Sequence, residues 1–396
     1  MANEQELFGM PQIIINFRTK GTTAIKRSAR GIVAMILHNE TKDEIHNYTI
    51  RDVSDIPDTG LTDENVDLIK KCLLGTPLRI LVYTMPNTNV DGATKTQANV
   101  LKMLTNIKWN WLCAPTASVQ EQQDLASWIK AQRSNKHKTF KAVLSGQDAD
   151  NEGIVNFCTN DIKVQTDTDS SGNPVYTTYT ALQESGDFPY YDTLVYTTYT
   201  ALQYTARIAG ILAGLALDRS ATYFKLTEVE SVEVYEDIDT LIDQGELLLI
   251  DEQDGDGVKI ARACNSLTTF TTDKGEEFRK IKIIEGIDMV TDDIRDTFKK
   301  YYVGKVINDY NHKMLFISAI LVYFSEIKGN VLDADAPNTV DINTTWQSNY
   351  AKLHGDDPTT MSVMEIRQYN TGDTLALVGD IRFVDAMENL KIDFTL

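Results

Sequence analysis

LRILVYTMPNTNVDGATKTQANVLKMLTNIKWNWLCAP, residues 78–115, decides the fold. It opens on an apolar run of strand length, LRILVY (78–83). It passes through DGATKTQANVLKMLTN (91–106), where Val100, Leu101 and Leu104 share one face at helical spacing. It closes on a second apolar run, WNWLCAP (109–115). Apolar runs without polar alternation fit strands buried on both faces, and an amphipathic helix between two of them fits a crossover. Downstream, VQEQQDLASWIKAQR (119–133) reads as a helix with Leu125, Trp128 and Ile129 inward, and FKAVLSG (140–146) and GIVNFC (153–158) read as strands. Upstream, GIVAMILH (31–38) and YTIRDV (48–53) read as strands. DENVDLIKKCLL (63–74) reads as a helix with Val66, Ile69 and Leu73 at helical spacing, stopped by Gly75 and Pro77. This alternation predicts βαβ units, hence a largely parallel, doubly wound sheet covered on both faces.

The alternation stops at TDTDSSGNP (166–174), which has loop composition. VYTTYTALQ occurs at 175–183 and recurs unchanged at 195–203, a local duplication of the kind an exposed loop tolerates. The second copy leads into YTARIAGILAGLALDRSATY (204–223), whose first part reads as a buried helix. The first copy is expected to be the more exposed. Gly210 and Gly214 stand at GxxxG spacing and predict close helix packing in a soluble core. The stretch 208–217 is too short to span a bilayer. Residues 228–257 hold twelve acidic side chains and no Lys or Arg, which reads as a solvated acidic face. Within them, DGDG (254–257) predicts a hairpin turn. A calcium loop would need a different spacing and a closing Glu.

The last third changes character. NSLTTFTT (265–272), KIKIIEG (280–286), TVDI (339–342) and TLALVGDIRFVDAM (374–387) read as strands. IDMVTDDIRDTFKKYY (287–302) and HKMLFISAILVYFSEIKG (312–329) read as helices, with 343–371 partly helical. A separate α+β domain is expected here. The two chain ends resemble each other. PQIIINFR (11–18) puts Ile13, Ile15 and Phe17 on one face, and NLKIDFTL (389–396) puts Leu390, Ile392 and Phe394 on one face. Such terminal strands either close their own sheets or donate themselves to neighbouring copies.

At 396 residues with 42% hydrophobic and 24% charged side chains, the composition is that of a folded chain of two or three domains. The net charge of −19 argues against general nucleic-acid binding, which draws on Lys and Arg. Residues 1–30 run the other way. Arg18, Lys20, Lys26, Arg27 and Arg30 against Glu4 and Glu6 give +3, so this segment is expected to meet an acidic surface, its own or a neighbour's. Cys72, Cys113, Cys158 and Cys264 are scattered without a C-x-x-C, which points away from zinc and disulfides and toward a reducing compartment. The polar start is not a secretory signal. The five histidines lack metal-ligand spacing, and no nucleophile elbow, phosphate loop or dinucleotide fingerprint is present, so neither metal nor cofactor is expected. Cys113, at a strand end, is the one candidate for an α/β enzyme site, with a small buried core thiol as the simpler reading.

Four stretches carry a family resemblance. They are MPQIIINFRTKGTTAIKRSARGIVAMIL (10–37), YTARIAGILAGLALDRSATY (204–223), NSLTTFTTDKGEEFRKIKIIEGIDMVTDDIRDTFKKYYVGKVINDYNHKMLFISAI (265–320) and GDIRFVDAMENLKI (379–392). In this order they resemble the tail sheath proteins of contractile bacteriophage tails and of R-type bacteriocin particles. The resemblance implies an N-terminal arm over 1–20. A subtilisin-like α/β domain without a protease triad would follow over 21–257, with an exposed insert near 166–203 that is foreign to the family pattern. A C-terminal α+β domain on the inner side of the sheath would span 258–388, and a C-terminal strand arm 389–396. The family's extra β-sandwich domain has no room here. The implied protein is not an enzyme. It is a subunit that polymerises helically around a tail tube by strand exchange and contracts to drive the tube through a bacterial envelope. Its partners would be other copies of itself, the tube protein, and baseplate and tail terminator proteins, without nucleic acid or membrane insertion. Its place would be a virion tail or an extracellular tailocin, assembled in the host cytoplasm. Lys299, Lys300 and Lys305, at and after the end of the 287–302 helix, are expected to face an acidic tube. The rival readings are an α/β hydrolase-like enzyme near Cys113 and a static capsid or tube subunit.

Overall fold

A computed structural model of the chain describes residues 25, 30–87, 91–165, 176–177, 193–194 and 196–395. Their contacts divide into two compact units. One runs from Arg30 to Asp296 and takes in 328–336 and 382–395; the other holds 297–327 and 337–381. Within the last third this partition by contacts falls between Asp296 and Thr297.

The first unit carries β1 (Ile32–Glu40), β2 (His46–Ile50), α1 (Asp63–Leu73), β3 (Arg79–Pro86), α2 (Gln97–Leu104), β4 (Trp111–Cys113), α3 (Val119–Lys136), β5 (Lys141–Ser145), β6 (Ile154–Phe157) and β7 (Ile162–Gln165). Then come β8 (Tyr176–Thr177), β9 (Thr193–Leu194), β10 (Tyr196–Tyr199), α4 (Ala201–Gly214), β11 (Val229–Ser231), α5 (Ile238–Asp243), β12 (Glu246–Leu247), β13 (Leu249–Ile250), β14 (Lys259–Ile260) and the start of α6 (Ile281–Tyr301). A seven-stranded sheet has the order β2-β3-β1-β4-β5-β6-β12. Every neighbouring pair is parallel except β2–β3 at one edge. Because side chains alternate along a strand, Val33, Met35 and Leu37 point to one face with Ile80, Val82 and Cys113, under α1 and α4. Ile32, Ala34 and Ile36 point to the other with Leu81, Leu112 and Ala142, under α2 and α3. The expected mixed α/β architecture is therefore present, with helices on both faces.

Local chemistry sets the helix limits. α2 begins at Gln97, not near 91, because Thr96 and Asn99 form a capping box. α3 starts from the Ser118–Glu121 box and runs on to Lys136, where His137 turns left-handed at φ 51°. α4 starts from the Thr200–Gln203 box, inside the second VYTTYTALQ copy. Of the first copy, only Tyr176–Thr177 falls within the described backbone, so its expected exposure lies outside the described residues. Gly210 and Gly214 do pack closely. A Cβ on Gly210 would stand 2.1 Å from the Cys72 carbonyl oxygen, and one on Gly214 1.8 Å from that of Gly75. α4 thus crosses the end of α1 backbone to backbone. DGDG is the expected hairpin, joining antiparallel β13 and β14 with Gly255 and Gly257 at positive φ.

Two strand expectations fail and a third is cut short. Residues 265–272 form no strand beyond the isolated bridge at Cys264. Residues 280–286 open α6 instead. Ile281, Ile283 and Ile284 are all buried, so a helix buried nearly all round imitates strand alternation. The 374–387 strand shrinks to β16 (Leu377–Asp380). The acidic 228–257 face is not wholly solvated either. Glu228 is half-buried, 2.5 Å from Arg207 Nε and accepting from the Tyr204 hydroxyl at 3.1 Å.

The second unit contains the end of α6, α7 (Tyr310–Ile327), β15 (Thr339–Ile342), α8 (Thr344–Leu353), α9 (Val363–Gln368) and β16. β15 and β16 pair antiparallel, Ile342 opposite Leu377. Phe316 of α7 packs against Phe298 and Tyr302 at 5.3 and 4.6 Å between ring centres. Arg367 grips Asp341 with both guanidinium arms at 2.6 and 2.7 Å.

Candidate functional site

The carboxyl ends of the parallel strands are where an α/β enzyme would hold substrate. Cys113 is fully buried there, and burial pushes its thiol well above the ordinary range, which disfavours the reactive thiolate. At the end of β1, Asn39 Oδ1 accepts from the Thr62 N–H and from Asn65 Nδ2, both at 2.9 Å. His38 Nδ1 lies 2.9 Å from the Thr116 carbonyl and 3.4 Å from the Thr116 hydroxyl, and Nε2 lies 3.1 Å from Glu121. Burial opposes charge on this ring, but Glu121 and the Thr116 carbonyl outweigh it and raise its pKa. Both nitrogens are taken by these partners, so the ring holds the loop at Thr116 and α3 to the end of β1. Among the described residues, Glu40, Glu44 and His46 are the group that could share a cation. Glu40 already accepts from His46 Nδ1 at 2.9 Å and from Thr84 at 2.7 Å, which accounts for the arrangement without one. Among them, too, no helix is long and apolar enough to cross a membrane.

The chain end is built differently. The segment after β16 is pinned for seven residues. Arg382 and Val331 carbonyls accept from the Asp333 and Val384 N–H groups at 2.8 and 2.9 Å. Phe383 lies over Gly286, where a Cβ would come within 2.8 Å of its ring. Lys280 pairs with Asp385, and Lys282 donates to the Val384 carbonyl. The last anchor is Glu388. It accepts from Ser220 Oγ at 2.8 Å and Thr222 Oγ1 at 2.7 Å, and lies 3.3 Å from Arg262 Nε. Beyond it no further anchor is present among the described residues. Residues 389–395 are exposed and form no strand in the single chain, with Leu390, Ile392 and Phe394 at 84%, 56% and 87% exposure. Ile13, Ile15 and Phe17 lie outside the described residues.

Lys299, Lys300 and Lys305 are all exposed. Lys305 Nζ donates to the Lys300 carbonyl at 2.6 Å, capping the helix end, where the dipole also favours cations. Val303 and Ile307, 55% and 75% exposed, stand beside them in sequence.

The sequence reading missed a buried charge cluster on α6. Asp288 accepts from Arg133 and from Lys141 at 2.9 Å. Glu285 meets Arg30 at 2.5 Å and Lys141 at 3.2 Å, and Asp292 accepts from Thr139 at 2.9 Å. Arg30, of the basic N-terminal segment, thus meets a carboxylate of its own chain, and Arg18, Lys20, Lys26 and Arg27 lie outside the described residues. The available signal was the spacing of 285, 288 and 292, which puts three carboxylates on one helical stripe.

Comparison with known proteins completes the picture. A family model of the phage tail sheath protein central domain matches residues 90–266, and one of the phage tail sheath C-terminal domain matches 273–395. The tail sheath protein of Clostridium phage phiCD119 is 32% identical over 394 residues, covering 97% of this chain and 98% of that protein. The crystal structure of a sheath tail protein from Desulfitobacterium hafniense shares the fold at TM-score 0.61 and 18% identity, covering 84% of this chain and 94% of that one. The helical sheath of the anti-feeding prophage in its contracted state shares it at TM-score 0.66 and 13% identity, covering 98% and 99%.

Proposed function

The chain belongs to the phage tail sheath family and is a structural subunit of a contractile tail sheath; on that premise we propose that its subunits are linked by exchange of the terminal strands. The observation that carries this is the contrast at Glu388. Up to it the chain end is fastened, and after it seven exposed residues alternate apolar and polar side chains with no strand partner among the described residues. Such a segment gains main-chain hydrogen bonds and buries its apolar face when it joins another copy's strand. Residues 12–18 of a neighbour, with the matching Ile13, Ile15 and Phe17 pattern, are the proposed partner.

The polymer would wrap a tail tube, with baseplate and terminator proteins at its ends, in a virion tail or tailocin particle assembled in the bacterial cytoplasm. The energy of contraction is stored at assembly and released as subunits repack, which requires no bound nucleotide. Main-chain pairing suits this, because it holds neighbours together while they rotate. The sheet, flanked by helices on both faces, is read as the subtilisin-like domain without a triad. The C-terminal domain is read as the tube-facing part, with Lys299, Lys300 and Lys305 toward an acidic tube. The boundary between the two matched family regions, 266/273, supports a division near the expected 257/258. An enzyme near Cys113 has no support from that thiol's burial.

The test is deletion of 389–396. A folded monomer that forms no cylinders by negative-stain microscopy is expected. Cylinders of normal length from the truncated chain would rule strand exchange out.

A further inference from the structure

Residues 219–223, 236–242, 250–262 and 386–389 enclose a cleft of about 680 Å³ at the root of the C-terminal arm. Its charged lining is five carboxylates, Glu236, Asp237, Asp239, Glu252 and Glu388, against Arg219 and Arg262. Three of the five are already engaged. Asp237 caps α5 through Thr240, Glu252 meets Lys259 at 2.5 Å, and Glu388 holds Arg262. Glu236 and Asp239 are exposed and have no ion-pair partner among the described residues. The cleft is therefore an acidic surface with unused charge, placed where the arm leaves the subunit.

We infer that this cleft receives Arg18 and Lys20 of a neighbouring copy, and that it thereby fixes the two exchanged strands as antiparallel. The inference rests on the strand-exchange reading and adds a direction to it. Apolar pattern alone leaves the direction open. Antiparallel pairing sets Ile13, Ile15 and Phe17 opposite Phe394, Ile392 and Leu390. Parallel pairing sets them opposite Leu390, Ile392 and Phe394. Both keep one apolar face.

The flanking charges separate the two. In the antiparallel arrangement Phe17 pairs with Leu390, so Arg18 and Lys20 run past Asn389 and Glu388 into the acidic cleft. In the parallel arrangement the same register sets the uncharged Gly9, Met10, Pro11 and Gln12 along 386–389, and they offer the acidic cleft no counter-charge. Opposite charges favour the first arrangement, more strongly at low salt, and the second lacks them.

Cysteine pairs in the full-length chain test it, with cross-linking between copies read on denaturing gels of assembled sheaths. Ile15→Cys with Ile392→Cys faces in both directions, so it must cross-link if the strands exchange at all. Phe17→Cys with Leu390→Cys faces only in the antiparallel form, and Ile13→Cys with Leu390→Cys only in the parallel form. Cross-linking of the first two pairs and not the third is expected. Cross-linking of 13 with 390 would overturn the direction while leaving strand exchange intact. Absence of the 15–392 cross-link in sheaths of normal appearance would overturn both. The cleft is tested separately. Arg18→Glu with Lys20→Glu is expected to weaken assembly at least tenfold at low salt, and adding Glu236→Lys with Asp239→Lys to restore it. Unchanged assembly in the first variant would remove the cleft's role.

Discussion

Asp288 accepts both arms of the Arg133 guanidinium, at 3.0 and 3.1 Å, with Lys141 Nζ 2.9 Å from the same carboxylate. This fastens the first turns of α6 to α3 and β5 by charge. Removing the carboxylate strands two buried cations. Asp288→Ala is expected to lower stability by roughly 3–5 kcal/mol in urea unfolding. Combining it with Lys141→Met should recover part of the loss, and no recovery would mean the cluster does not act as a unit.

The same cluster sets a pH dependence. Burial opposes ionisation of Asp288, but Lys141 and Arg133 outweigh it and hold the carboxyl below the ordinary range. At Asp150 burial is outweighed by the Thr269 and Thr268 N–H groups, and the pKa falls to about 2. A carboxyl depressed on folding contributes stability above its unfolded pKa of about 3.9 and loses it as pH falls through the folded value. Asp292 runs the other way, raised by burial, and relieves a small part of the loss on acidification. The urea midpoint should therefore drop between pH 4 and 2, and drop less in Asp288→Asn. A midpoint that stayed flat would contradict the assignment.

Gly210 and Gly214 meet backbone, which cannot move aside as a side chain can. Gly210→Ala is expected to cost about 3 kcal/mol or more, the upper end for overpacking, and to lower the thermal midpoint. Gly255→Ala, in open space but at φ 86°, should cost only about 1 kcal/mol through backbone strain.

Glu388 is the last anchor of the chain end among the described residues. Glu388→Ala removes two hydroxyl donors' acceptor and one ion pair, a loss of about 1–3 kcal/mol. The subunit should stay folded by circular dichroism, while sheath length in microscopy falls because the arm is no longer aimed. Sheaths of normal length would show that the anchor has no part in assembly.

Charge reversal of Lys299, Lys300 and Lys305 to Glu should leave the monomer's stability within about 0.5 kcal/mol, as exposed surface changes do. Assembly templated on tubes should fall, most at low salt. Unchanged templating would remove these lysines from the tube contact.

Much of this was legible in the residues. The parallel sheet was readable because β1, β3 and β4 are apolar on both faces, a pattern only a doubly covered strand needs. The GxxxG contact was readable because absent side chains have few other uses. The start of α6 was misread because Ile281, Ile283 and Ile284 are buried on more than one side, and burial all round erases the helical period. The charge cluster was missed because Asp288, Lys141 and Arg133 are distant in sequence, and a charge pattern alone does not say which charges face inward.

The sequence by itself determined the family, the alternating α/β core and the apolar pattern of both chain ends, since these reside in local periodicity and residue order. Tertiary structure decided which carboxylates are buried and paired, where α6 begins, and that Glu388 is the last anchor of the C-terminal arm among the described residues. Those depend on which distant segments meet, because a carboxylate's solvation and a strand's partner are properties of its surroundings and not of its neighbours in the chain.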